Sequence, residues 1–378
     1  MSNTLTNLIP DLYAAMDIVS REMVGFIPAV TLDASTARAA LNQPVRSPVA
    51  PASFASDVVA GVTPPDDGDQ NIGNEAIIIN KSRRVPVRWN GEQSTGVSHG
   101  AGVDNLLVNQ FAQAMRTLSN EIEDDLAALY VRSSLAYGIA GTSPFATDLS
   151  DTANVLKILK DNGAPTSDLQ LVMNTMAGAK LRSLGQVNKV NEAGESSLLR
   201  QGVLLDIHGL ALRESAKVRS VSKGSGSGYL INNAAGYGIG DTVILADTGT
   251  GTILSGDIVM FAGDNNKYVV ASELSGGAFS IAASGLKQAI ADNATITVGN
   301  SYSANMAFSR SAIALATRAP ALPEGGDMAD DRTMIIDPVS GLAFEVALYR
   351  QYRQIQYEIS IAWGAANFKP EHTVILLG

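Results

Sequence analysis

The chain has 378 residues, 46% of them hydrophobic, with 27 Lys and Arg against 37 Asp and Glu and a formal net charge of -10. That length and apolar content allow two or three domains with buried cores and exclude global disorder. The charge excludes the dominant positive field of a general nucleic-acid binder, and the absence of cysteine excludes disulfides, thiolate chemistry and Cys-ligated zinc.

Residues 6–23 place Leu8, Ile9, Leu12, Met16, Val19 and Met23 at helical spacing, with Pro10 early and Gly25 just beyond. This predicts an amphipathic helix whose apolar stripe, including Leu12 and Met16, must meet a partner. No basic region followed by an apolar core opens the chain, and no stretch approaches the ~20 apolar residues of a membrane span, so the expectation is a soluble protein with no membrane contact. Residues 26–73 then carry Pro28, Pro44, Pro48, Pro51, Pro64 and Pro65. Proline at that density forbids long helices and central strands, and predicts an extended segment that depends on neighbours for order. Its acidic tip, Asp66-Asp67-Gly68-Asp69, lacks the spacing and closing glutamate of a calcium loop and reads as a solvated turn. Residues 76–89 are β-rich and basic: Ile77, Ile78 and Ile79 precede Lys81, Arg83, Arg84, Val85, Val87 and Arg88, and Pro86 predicts an edge strand.

The stretch from 103 to 137 reads as one uninterrupted helix. Val103, Leu107, Phe111, Met115, Leu118, Ile122, Leu126 and Leu129 fall in steps of three or four along one face, with no proline or glycine before Gly138. Such a helix is a spine roughly 50 Å long at 1.5 Å per residue. Asp104 suits its positive end. Residues 150–162 predict a second helix with Val155, Leu156, Ile158 and Leu159 inward, 169–173 a short buried strand, and 175–184 a third helix; 189–201 is polar and loop-like, and 203–218 returns to strand character. The alternation predicts a compact α+β domain. From 222 to 302 glycines multiply, charges thin out and six short β-prone runs recur between turns, which predicts a small barrel or sandwich. Residues 210–218 and 306–316 on either side read as two strands of one domain, making the β module an insertion. The chain closes with strand-rich stretches at 334–336, 342–348, 349–363 and 374–376.

No chemical motif emerges. His99, His208 and His372 are isolated, the glycine clusters at 224–228 and 236–240 fit neither the dinucleotide fingerprint nor the P-loop, and no G-x-S-x-G elbow occurs. Glu121, Glu123, Asp124 and Asp125 crowd the spine, where the bland reading is a solvated or salt-bridged face. The expectation is no enzyme, no cofactor and no metal.

The order of parts, with Ser255-Gly256-Asp257-Ile258-Val259-Met260-Phe261-Ala262-Gly263 in the insertion, Phe308 to Ala316 followed by Pro320, Gly341-Leu342-Ala343 and the run from Arg350 to Gly364, resembles the major capsid (coat) protein of tailed double-stranded-DNA bacteriophages. More narrowly, it resembles the coat-protein family of the short-tailed P22-like phages. The resemblance implies the HK97-type capsid fold, an α+β fold with an inserted all-β domain. Its expected parts are an N-terminal arm at 1–50, an extended loop at 51–95, a peripheral domain with the spine at 96–147, an apical domain at 148–221, an inserted domain at 222–302, an apical return strand at 303–325 and peripheral C-terminal strands at 326–378. It implies self-assembly into hexamers and pentamers of an icosahedral virion shell in the host cytoplasm. Implied partners are a separate scaffolding protein, since no long coiled-coil prefix precedes the first helix, a portal protein, and packaged double-stranded DNA held without sequence specificity; a decoration protein stays open. The rival readings are an encapsulin-like nanocompartment shell and a hydrolase with an appended β module.

Physical reasoning agrees with a shell. An arm of some fifty residues cannot offset an ordering cost of roughly 1–2 kcal/mol per residue unless neighbours bury it. The two charge clusters suggest one such contact: Lys81, Arg83, Arg84 and Arg88 docking across a subunit boundary on Glu121, Glu123, Asp124 and Asp125 of a neighbour's spine, each exposed pair contributing only about 0–1 kcal/mol.

Overall fold

The computed structural model describes residues 24–49, 55, 57–58, 60–62, 73–93, 103–188, 206–337 and 340–378. The helix expected over 6–23, with Leu12 and Met16, lies outside these residues, as do His99, the acidic tip at 66–69 and the polar stretch 189–201.

The protein is mixed α+β and mostly β. A 3-10 turn at Ile27–Ala29 leads into β1 (Thr31–Ala39), β2 (Pro44–Val49), β3 (Gly73–Ile78), β4 (Lys81–Asn90) and helix α1 (Val103–Ala127). There follow β5 (Leu135–Tyr137), α2 (Ser150–Asp161), β6 (Leu169–Met173), α3 (Thr175–Ser183), α4 (Gly185–Asn188), β7 (Asp206–Ile207), β8 (Leu210–Glu214) and β9 (Ser220–Val221). Six strands make up the glycine-rich segment: β10 (Leu230–Ile231), β11 (Val243–Asp247), β12 (Ile258–Phe261), β13 (Lys267–Ser275), β14 (Ala278–Ile281) and β15 (Ile296–Val298). The chain ends with β16 (Tyr302–Ser309), β17 (Ile313–Pro320), β18 (Asp331–Ile336), β19 (Ala343–Gln351), β20 (Gln354–Asn367) and β21 (Thr373–Leu377).

Helix α1 is the spine, but it is shorter than its apolar spacing predicts. Its 25 residues span about 37 Å at 1.5 Å each. Phe111, Met115, Leu118, Ile122 and Leu126 are buried, and they meet Phe26 and Ile27 together with residues of β17, β19, β20, β6 and β16. Past Ala127 the chain tightens into a 3-10 turn at Ala128–Arg132, and Leu135–Tyr137 is strand, not helix. No proline or glycine causes the change. Ser134 donates its amide and its hydroxyl to the Thr373 carbonyl, at 2.9 and 2.8 Å, and β5 then pairs with β21 on one side and β13 on the other. Tertiary pairing overrides helical propensity there.

Two sheets flank the spine. In the six-stranded one, β20 is 14 residues long and pairs with β4 along one side and with β19 and then β17 along the other. Strand β1 joins β17 in parallel, and β18 joins β19. Among the described residues β4 pairs with β20 alone, so Pro86 sits on an edge strand. The second sheet has thirteen strands and runs through β13, β5, β21, β16, β6 and β8. Residues 306–316, read as one strand, are two: a 3-10 turn at Arg310–Ala312 carries the chain from β16 in one sheet to β17 in the other.

The glycine-rich segment leaves and returns through a two-rung ladder, Ser220 and Val221 against Ser303 and Tyr302. Its strands follow one another in the order β10, β11, β14, β13, β12, β15, and a bridge from Leu230 to Thr295 closes them into a ring. Ile231, Ile244, Phe261, Tyr268, Phe279 and Ile296 fill it. The ring is continuous with the thirteen-stranded sheet: Lys267 and Tyr268 of β13 pair with Ala136 and Leu135 of β5, and Leu135 belongs to the ring's core.

Candidate assembly interface

The arm, the extended loop and the two charge clusters are the candidates for contacts with other chains. The arm's described end is anchored on its own chain. The Glu123 carboxylate accepts from the amides of Ile27 (2.7 Å) and Phe26 (3.1 Å) and from the Ser215 hydroxyl (2.8 Å). Phe26, Ile27, Ser215 and Glu123 are all essentially buried. Gly25 is obligatory beside them, because a Cβ there would lie 2.5 Å from the Glu214 carbonyl oxygen. Burial pushes the Glu123 carboxyl above its usual range, while the amides of Ile27, Phe26 and Gly25 and the Ser215 hydroxyl pull it back. Glu123 is therefore a socket for the arm and not part of a solvated acidic face, a role sequence spacing cannot display because Ser215 lies 92 positions away.

Further along the arm, β1 is strapped to the sheet by arginines. Arg310 donates to the Pro28 carbonyl (2.6 Å), and Arg318 donates to the Asp33 carbonyl (2.6 Å) and carboxylate (3.0 Å). Arg38 grips the buried Glu345 with two bonds of 2.5 and 3.1 Å, and Arg332 reaches the same carboxylate at 3.1 Å. Arg332 also contacts Asp327, whose other oxygen accepts from Tyr349 at 2.8 Å. The Arg332 hydrogen bond holds Asp327 well below the usual carboxylate range, at about 2.

Part of the basic strand and the acidic helix come together within one chain. Lys81 Nζ lies 2.7 Å from Asp125, whose second oxygen accepts from the buried Trp363 indole at 2.8 Å. Arg83 lies 3.4 Å from Glu121, an exposed contact, and Asp124 pairs with Arg219 at 2.9 Å. Arg84 turns to the other face of the sheet and meets Glu358 at 2.6 Å. Arg88 is exposed. Strand alternation explains the split, because Lys81 and Arg83 share the helix-facing side while Arg84 and Arg88 share the other. The partners Trp363, Arg219 and Glu358 carry no local sequence signal, being 238, 95 and 274 positions from the groups they bind.

The extended loop departs as a ribbon. Strand β2 pairs antiparallel along its length with β3. The ribbon's root lies flat on β20: a Cβ at Gly364 would sit 2.0 Å from the Ile78 carbonyl oxygen. Between the two strands, Val58 and Val62 are wholly exposed at 103% and 106%. At the far end of β4, Trp89, Leu107, Ile355 and Tyr357 line a cleft of ≈ 840 Å³ rimmed by Arg350 and Arg353, beside the exposed Tyr352.

Among the described residues no group of three or more His, Cys, Asp or Glu is placed to hold a metal ion, and no helix is long and apolar enough to cross a membrane. His208 Nδ1 is tied to the Thr152 hydroxyl at 2.8 Å, and burial pushes His372 below its ordinary value.

No protein-family model and no curated protein matches the sequence. Among solved structures, the chain is similar to that of the capsid of the cyanophage P-SCSP1u, at 12% identity over 92% of this chain and 86% of that one, with a TM-score of 0.49. It is similar to a virus-like particle from Pyrococcus furiosus at 8% identity over 98% and 99%, TM-score 0.44. The likeness to Mycobacterium phage Che8 is 13% identity over 89% and 84%, TM-score 0.43.

Proposed function

We propose that this chain is a shell-forming coat protein of the HK97-type fold, whose copies join as hexamers and pentamers of an icosahedral particle around a double-stranded DNA genome. The observation that carries the reading is the β2–β3 ribbon. A two-stranded hairpin is marginally stable alone, and this one continues into a segment where Val58 and Val62 have no cover from their own chain. A segment of that kind is held by another molecule, and repetition in a closed assembly multiplies each weak contact. The edge strand β4 and the apolar cleft beside Tyr352 offer further surface for copies of the same chain. In this reading residues 1–50 and 51–95 form the arm and loop, 96–147 and 326–378 a peripheral domain, 148–221 and 303–325 an apical domain, and 222–302 an insertion. A scaffolding protein, a portal and the genome are its partners in a virion, and a decoration protein stays open. Co-expression with a scaffolding protein, followed by sedimentation and negative-stain microscopy, tests it. Uniform closed particles are expected, and a product of monomers and small oligomers overturns it.

A further inference from the structure

Where the inserted ring meets its host, the surface opens into a cleft of ≈ 380 Å³ lined by Lys157, Lys267, Asn154, Asn265, Asn266 and the main chain and side chains of β5. Two cations line this cleft and no carboxylate does. Lys157 stands at the rim and pairs with Asp161 at 2.9 Å, both largely exposed. Asp264 lies close by in sequence but is engaged by Tyr268 and by Asn266. Lys267 is different. It is half-buried, its ammonium donates to the Gly138 carbonyl, and among the described residues it has no carboxylate within ion-pair distance. Burial pushes its ammonium below the ordinary lysine range. The similarly sheltered Lys81, Arg38, Arg182 and Arg332 each contact a carboxylate. A desolvated cation with only a carbonyl for company is costly, and an anion at hydrogen-bond distance removes the cost.

We propose that this cleft binds an oxyanion, a phosphate or carboxylate group, held by the ammonium groups of Lys267 and Lys157 and by the Asn265 amide. The same chemistry has two sources. One is free phosphate. The other is an Asp or Glu side chain of a second copy, which the excess of 37 acids over 27 bases makes abundant on any neighbour; this source alone rests on the shell reading. Occupancy would tie β13 of the ring to β5 and α2 of the host.

The test uses the full chain. Thermal unfolding is followed in sodium phosphate and in sodium chloride of equal ionic strength for wild type, Lys267→Met, Lys267→Arg and Lys157→Met. Phosphate is expected to raise the wild-type and Lys267→Arg midpoints by a few degrees beyond chloride, to lose that increment in Lys267→Met and to keep part of it in Lys157→Met. A merely structural lysine capping Gly138 would lower the Lys267→Met midpoint equally in both salts. If Lys267→Met does not fold, Asn265→Ala and Lys157→Met carry the comparison. In the second arm, particle formation is timed with and without phosphate. A wild-type rate that phosphate slows, and a slower Lys267→Met rate that phosphate leaves alone, assign the site to a second copy's carboxylate; a midpoint increment with unchanged particle formation assigns it to free phosphate. The proposal is overturned if Lys267→Met matches wild type in both arms. Failure of wild type to form particles sinks the shell reading and leaves the midpoint comparison standing.

Discussion

Replacing Glu123 by alanine is the most direct test of how the arm is held. The substitution strands two buried amides, those of Phe26 and Ile27, and the buried Ser215 hydroxyl. A buried donor left without an acceptor costs roughly 1–3 kcal/mol, so the two amides alone come to about 2–6 kcal/mol. Removing the carboxylate also removes its own desolvation, the largest influence on its titration, which brings the expected loss to about 2–4 kcal/mol. Glu123→Gln keeps one acceptor oxygen but turns an NH2 toward a donor, and should lose less. Urea unfolding of the purified subunit measures both, and limited proteolysis at residues 24–30 reports whether the arm has come away. The pH dependence gives a second check. Because the folded-state value lies above the ordinary 4.5, the folded chain holds this proton more tightly than the unfolded chain does. Stability from this group therefore rises as pH falls from above the folded value down to about 4.5, and declines as pH climbs back. The wild-type advantage over Glu123→Gln should widen on acidification through that window. An alanine variant within about 0.5 kcal/mol of wild type, the usual range for a surface change, with an uncleaved arm, would refute the socket.

Three further outcomes are expected. A double-mutant cycle between Lys81→Ala and Asp125→Ala in the isolated subunit should give a coupling of roughly 0.5–3 kcal/mol, whereas additivity would show that the 2.7 Å pair contributes nothing to the fold. Gly364→Ala should destabilise by about 1–3 kcal/mol through overpacking against the ribbon, with Gly91→Ala, which meets nothing within 4 Å, as the neutral control in the same urea titration. Asp327 is depressed to about 2, so its contribution is complete above its ordinary 3.8 and is lost as pH falls through about 2; acid unfolding of Asp327→Asn should lack that component.

The buried face of α1 was legible because a 3.6-residue period brings one row of side chains to the same side: Phe111, Met115, Leu118, Ile122 and Leu126 all reach the core. The six strands of the glycine-rich segment were legible because glycine turns bracket short apolar runs. The end of the spine was not, since Ser134 and Leu135 find their partners at Thr373 and Val374, and no window of sequence holds both. The four acids on α1 look alike on a helical wheel, yet one is a buried socket, one pairs with Arg219, one joins Lys81 to Trp363 and one lies at the surface near Arg83. Their different fates are set by distant segments, as the separations of Lys81 and Trp363 from Asp125, 44 and 238 positions, illustrate.

Among the described residues, strand ladders join the ring to the rest of the fold at Val221 and Tyr302 and between β13 and β5. A body hung from a single joint swivels; one bolted at a second point cannot turn without shearing the bolt. Here the second bolt is fastened to β5, which follows the spine by one short turn and is backed by β21. The ring is thereby joined through β5 to the C-terminal end of α1, one turn from the carboxylate of Glu123 that holds the amides of Phe26 and Ile27.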